Sequence, residues 1–124
     1  MLSIVGSRDF KHPIYLGMAM ELLIKQGKLE GIVGFVSGGA TGADTIGQEW
    51  ATQHGLVVHP PLIPDWNKYG RGAGPVRNSD IVKMADVVVA FPRLDPARSK
   101  GTYDTIRKTT KAGKPLYIFN NWDR

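Results

Sequence analysis

Residues able to do chemistry concentrate at a few turns, the richest of which is Val36-Ser37-Gly38-Gly39-Ala40-Thr41-Gly42-Ala43-Asp44. Three glycines in five positions let the backbone take positive φ and approach another group closely. An apolar run, Gly31 to Val36, precedes the turn and reads as a buried strand. Asp44 to Ala51 follows as a helix with Ala43, Ile46, Trp50 and Ala51 on one face. A strand, a glycine turn and a helix start together form a ready anion site, because unpaired N–H groups and the helix dipole both favour phosphate. The pattern is neither G-x-G-x-x-G nor a P-loop with its Lys-Ser/Thr pair, and a plain tight β-to-α connection is the competing reading. Asp44 could be a reactive carboxylate or serve the start of the helix as a cap or dipole partner.

Other turns carry complementary groups. The first strand, Leu2 to Val5, stops at Gly6-Ser7-Arg8, where Arg8 could meet an anion or pair with Asp9. Pro60 to Gly74 holds too many prolines and glycines for a long regular element, and is too aromatic for a casual connection. Within it, Trp66 could be a packing anchor or, like Tyr69, a platform for a base. Arg77, Asn78 and Asp80 occupy the first two turns of a helix over Pro75 to Met84.

The elements that must position these groups follow from patterning. His12-Pro13 starts a helix whose core face is Ile14, Leu16, Met18, Leu22 and Leu23, fading near Gly27. The glycine-turn helix ends at His54-Gly55, and Leu56 to His59 is a third strand stopped by Pro60-Pro61. Asp86 to Phe91 is a nearly continuous apolar strand, the kind buried on both faces of a parallel sheet, and it ends at Pro92. After a polar loop, Arg93 to Lys100, a helix runs from Gly101-Thr102 to a cap at Gly113, and Leu116 to Phe119 is the last strand, followed by a tail. Five strands alternating with four helical segments predict one α/β domain over residues 1–124, a Rossmann-like three-layer α/β/α fold with a parallel sheet in the order 3-2-1-4-5. The switch point would then bring Ser7-Arg8, the Phe91-to-Thr102 loop and the Ser37-to-Asp44 turn to one crevice.

Composition narrows the partners. The chain has 124 residues, a formal net charge of +5 and no cysteine. Anionic partners are favoured, while a disulfide framework and a thiolate metal site are excluded. His12, His54 and His59 lack metal-ligand spacing, so neither metal nor cofactor is expected. No apolar run is long enough to span a bilayer and no signal-peptide pattern opens the chain, so the expected location is cytoplasmic, without membrane association.

Taken together, the turns resemble the SLOG superfamily, the Rossmann-like group that includes the DNA-processing protein DprA and the "lonely guy" phosphoribohydrolases. The chain is most similar to the small stand-alone, YspA-like, YpsA-related branch. The matching residues are Gly6-Ser7-Arg8, Ser37 to Asp44, Pro64-Asp65-Trp66, Gly70 to Gly74, Arg77-Asn78, Ala85-Asp86, Ala90-Phe91-Pro92 and Gly101-Thr102. They run from Ile4 to about Ile118, nearly the whole chain.

The resemblance implies a pocket for a nucleotide or nucleotide-derived ligand, either sensed or sequestered, or cleaved at the N-glycosidic bond. The implied ligand-binding set is Gly6, Ser7, Arg8, Ser37, Gly38, Gly39, Thr41, Gly42, Asp44, Trp66, Arg77, Asn78, Phe91, Pro92, Gly101 and Thr102. The cleaving branch carries Pro-Gly-Gly-x-Gly-Thr-x-x-Glu, of which Phe91-Pro92 and Gly101-Thr102 match the ends. The paired glycines are missing, Thr105 falls at the glutamate position and Asp104 comes one residue early. Cleavage needs a carboxylate for an oxocarbenium-like state, which threonine cannot supply. Asp104 would point about 100° away from position 105, by the helix period. The leading expectation is therefore a nucleotide-ligand-binding module. A phosphoribohydrolase using Asp44 or Asp104 is the first alternative. DNA or RNA binding, as in the DprA relatives, is the second. A homo-oligomer built on the Trp50 face is a further possibility.

Overall fold

The computed structural model describes residues 1–124. Its five strands are β1 (Leu2–Gly6), β2 (Gly34–Phe35), β3 (Val57–Val58), β4 (Val87–Phe91) and β5 (Leu116–Ile118). Its helices are α1 (Pro13–Lys25), α2 (Ala43–Gln53), the single-turn α3 (Trp66–Tyr69), α4 (Ala73–Met84) and α5 (Lys100–Lys111). All strand pairs are parallel and the order is β3-β2-β1-β4-β5, as the alternation of elements predicts. The fold is Rossmann-like.

The centre of the sheet is β1 against β4, in register from Leu2 opposite Val87 to Gly6 opposite Phe91. Side chains alternate across the pleat, so the two strands feed two cores. Leu2, Ile4, Val87, Val89 and Phe91 join residues of α1 and α2 on one face. Val5, Val88 and Ala90 join Ala85 and Ile106 on the other, the α4–α5 face. Burial on both sides explains why β4 is uniformly apolar.

Several boundaries differ from the pattern reading. β2 has two residues rather than six, since only Gly34 and Phe35 pair with neighbours. The Pro60-to-Gly74 stretch has no long element, but it holds α3 and a 3₁₀ turn, and α4 begins at Ala73 instead of Pro75. On α1 the expected core face is corrected. The buried residues are Leu16, Ala19, Met20 and Leu23, whereas Ile14 and Met18 are 79% and 68% exposed. Leu22 also faces outward. This helix is apolar nearly all round, so periodicity alone does not choose the inner stripe.

The terminal residues are not a loose tail. Trp122 packs edge-on against Phe10, with ring centroids 5.0 Å apart, and lies beneath the Arg93 guanidinium. Asp123 accepts hydrogen bonds from Arg93 Nη1 at 2.6 Å and from the Leu94 amide at 2.8 Å.

Candidate functional site

The carboxyl ends of β1 and β4 open into a crevice of about 320 Å³ at the topological switch point. Its walls come from four segments: the end of β1 with Gly6 to Asp9, the glycine turn at Ala40 and Asp44, α4 at Arg77, Asn78 and Ile81, and the start of α5 from Arg98 to Thr105. Parallel strands deliver all four to one side, because each crossover returns the chain to the same end of the sheet.

Tight glycine packing makes this convergence possible. At Gly42, φ is +77° and any side chain would collide with the Ser7 and Arg8 carbonyls. The turn therefore lies directly on the end of β1, fastened by the Ala43 amide to Ser7 O at 3.2 Å and Thr41 Oγ1 to Arg8 O at 3.3 Å. Gly38 is similarly close to Arg77, whose Nη1 donates to Gly38 O at 3.0 Å and, more weakly, to Leu62 O at 3.4 Å. Arg77 thus braces the turn while also lining the crevice.

The turn does not offer all its N–H groups to a ligand. The Gly39 amide donates to Ser37 Oγ at 3.2 Å, and the Ala40 amide donates to Asp44 Oδ2 at 3.3 Å. The start of α5 is more open. Ser99 precedes it, but its hydroxyl accepts from the Arg93 amide at 3.0 Å and does not cap the helix. The first amides of α5 are left without a side-chain cap beside the buried Thr102.

Four cations line the crevice, Arg8, Arg77, Arg98 and Lys100, against two acids, Asp9 and Asp44. Arg8 makes no ion pair with Asp9. The partner of Asp9 is Arg93, whose Nε donates to Oδ1 at 3.2 Å while Nη2 pairs with Oδ2. Hydrogen bonds from Arg93 and then Ser7 draw the Asp9 carboxyl down to about 2. Asp44 is the opposite case. It is 7% exposed, and burial pushes its carboxyl up to about 6 despite the Ala40 amide and the nearby Arg77 charge. It caps nothing on α2, whose first turn has no side-chain cap.

Of the residues expected at the site, the crevice gathers Gly6, Ser7, Arg8, Asp44, Arg77, Asn78, Gly101 and Thr102. Ser37, Gly38 and Gly39 lie behind its wall, shaping the turn. Thr41 and Gly42 line a shallower hollow on the other side of Arg8. Phe91 is fully buried in the core and Pro92 is buried beside it. Trp66 is 56% exposed and does not line the crevice, so it is not a packed anchor. Asp104 is also outside. Burial would raise its carboxyl, but hydrogen bonds from Lys108 Nζ at 2.7 Å and Asn78 Nδ2 at 3.1 Å outweigh this and hold it low. Its neighbour Thr105 does face the crevice, as the helix period requires.

Pattern reading missed Arg98, Lys100 and Asp9 as crevice residues. Two cations just before Gly101-Thr102, at the start of a helix facing the switch point, were the available signal for the first two. Nothing local marks Asp9, whose partner is 84 residues away.

No family model matches the chain. It is 43% identical over 91 residues to the Gene 61 protein of Mycobacterium phage D29, an alignment that covers 69% of this chain and 70% of that relative. Identity of this extent over so much of both chains indicates common descent, and the protein belongs to the family of that Gene 61 protein.

Proposed function

We propose that the crevice binds a nucleotide or nucleotide-derived phosphorylated ligand, and that the protein is a sensing or sequestering module of the SLOG kind. The observation that carries this reading is the meeting of four cations with the uncapped start of α5 at the carboxyl ends of β1 and β4. A phosphoryl group fits best against the amides of Gly101 and Thr102, with Arg8 and Lys100 beside it. The glycine turn then acts as the wall that holds Asp44 and Arg77 in place. The test is a thermal-shift screen over nucleotides, dinucleotides and ADP-ribose derivatives, with each hit checked by chromatography for breakdown. Ligand at a hundredfold excess over its Kd adds about 2.7 kcal/mol to stability. Arg8→Ala should weaken a phosphorylated hit by roughly ten- to a hundredfold, the worth of a charge-assisted hydrogen bond, and leave its dephosphorylated nucleoside almost unaffected. Equal losses for both would overturn the phosphate assignment.

One observation favours a second reading, N-glycosidic hydrolysis of a nucleoside monophosphate. Asp44 is a buried, crevice-facing carboxyl raised to about 6, which suits a general acid or base near neutral pH. Release of free base from a nucleotide, abolished in Asp44→Asn, would establish it. Intact ligand after prolonged incubation would dismiss it.

A further inference from the structure

We propose that Asp44 makes the crevice selective for oxyanions that arrive with a proton, so that phosphate monoesters are accepted while sulfate and phosphate diesters are refused. The inference rests on the reading that the crevice seats a phosphoryl group, and it assigns the choice among anions to one side chain.

A buried carboxylate without a side-chain partner faces a cleft rich in cations. Asp44 is more than nine-tenths buried and lines the crevice. Ala40 donates to its Oδ2 at 3.3 Å and the Gly38 amide also bears on the carboxylate, but no side-chain donor reaches it. Arg77 is the nearest cation, yet it forms no ion pair with Asp44: its Nη1 donates to the carbonyls of Gly38 and Leu62 and its Nε to Asn78 Oδ1. The other charged groups lining the crevice are Arg8 and Asp9 from the end of β1, and Arg98 and Lys100 before and at the start of α5. Asp9 is occupied by Arg93. A buried carboxylate therefore stands without an ion-pair partner or side-chain donor in a cleft otherwise built for anions.

An anion without a proton, placed in that cleft, brings a second acceptor against this carboxylate. Two acceptors facing each other without a proton repel, and burial magnifies the cost. A phosphate monoester has a second ionisation near pH 6, so it can bring a proton or share one with Asp44. Burial places the Asp44 carboxyl in the same range, at about 6. The bound pair then holds one proton between two oxygens. When the ligand arrives as a dianion and Asp44 is ionised, that proton comes from solvent, and one proton is taken up per ligand bound. Sulfate carries no proton between pH 5 and 8, and a diester has none to offer on its phosphate.

The test is an NMR amide titration of the whole protein with methyl phosphate, dimethyl phosphate and sulfate at pH 6 and pH 8. In the wild type, methyl phosphate should shift the amides of Gly101 and Thr102 with at least tenfold higher affinity than sulfate or dimethyl phosphate. Its affinity should fall from pH 6 to pH 8 by up to about tenfold per unit once both groups are ionised. In Asp44→Asn an uncharged side chain carrying NH₂ donors replaces the acceptor-only carboxylate. Sulfate should then bind about tenfold better than in the wild type, and the steep pH dependence of methyl phosphate binding should disappear. Equal wild-type affinities for methyl phosphate and sulfate would overturn the selectivity while leaving phosphoryl binding intact. No amide shift with any anion, in either protein, would overturn the binding reading together with this inference. The wild-type comparison stands even if the variant folds poorly.

Discussion

Asp9 and Asp44 both line the crevice, and each has an arginine nearby, but the two pairs are built differently. Asp9 is half-exposed and closes an ion pair with Arg93, which also holds Asp123 and stacks on Trp122. Asp44 is buried, and its neighbour Arg77 turns Nη1 to backbone carbonyls and Nε to Asn78 Oδ1 instead. The first carboxyl is drawn down to about 2 and the second is pushed up to about 6. The Arg93 cluster is thus finished within the chain and serves to tie the loop before α5 to the Ser7–Asp9 turn and the terminal segment. The Asp44–Arg77 side is left open toward the crevice. A completed charge network points to architecture, and an incomplete one in a cleft points to a ligand.

The largest effect expected from this contrast is a gain in stability on removing the Asp44 charge. Its carboxyl is raised from 3.8 to about 6, so between those values the native state binds more protons than the unfolded state and stability falls as pH rises. Above pH 6 the accumulated cost is on the order of 3 kcal/mol. Asp44→Asn should therefore be more stable than the wild type by that order at pH 7.5 and by almost nothing at pH 4, as read from urea unfolding at the two pH values. An unchanged difference across this range would mean that the buried carboxyl is paired in solution. The gain would come with altered ligand selectivity, a familiar exchange at functional sites.

Arg77→Ala probes the other member of the open pair. It removes the brace on Gly38 O and Leu62 O and strips Asp44 of its nearest positive charge. A loss of about 2 kcal/mol at pH 7.5 is expected, together with a further rise in the Asp44 titration. Urea unfolding measures the first and a carboxyl-detected NMR titration the second.

The smallest effect should come from the finished network. Asp123→Asn weakens one of the two acidic partners of Arg93 and should lower Tm modestly at pH 7, leaving the anion-induced shifts of Gly101 and Thr102 in place. The Asp9 pairing has the opposite pH sense to Asp44: its contribution is present above pH 3.8 and is lost as pH falls through about 2. Thermal melts from pH 2 to pH 8 should therefore show a limb below pH 3.8 from Asp9 and an opposite limb between pH 3.8 and about 6 from Asp44, with Asp44→Asn removing only the second.

The chain order of strands was legible because β4 is an unbroken apolar run and because the turns at the carboxyl ends of the first four strands are marked by glycine or proline. The crevice was legible in part for the same reason, since Ser7-Arg8, Asp44, Arg77 and Gly101-Thr102 all lie just beyond strand ends or on the helices that follow. What escaped depends on distance in sequence. Arg93, Asp9 and Asp123 meet across 84 and 30 residues, and no local pattern announces such a meeting. The α1 core face escaped for another reason: Ile14 and Met18 are as apolar as Leu16 and Met20, and only the packing against the sheet decides which stripe is covered. Trp66, an aromatic in a long loop, faces outward, and its residue type alone does not say whether the fold buries it.

The central place of β1 has a consequence for how the chain acquires its structure. Its main partner, β4, is 85 residues away in register, from Leu2 to Val87. Until β4 docks, β1 has β2 on one side and an open row of amides and carbonyls on the other. Long-range parallel pairing of this kind makes folding slower than in helical proteins of similar size and exposes an adhesive edge while it lasts. A fragment ending before Val87 should keep that edge permanently, and it should aggregate where the full chain does not.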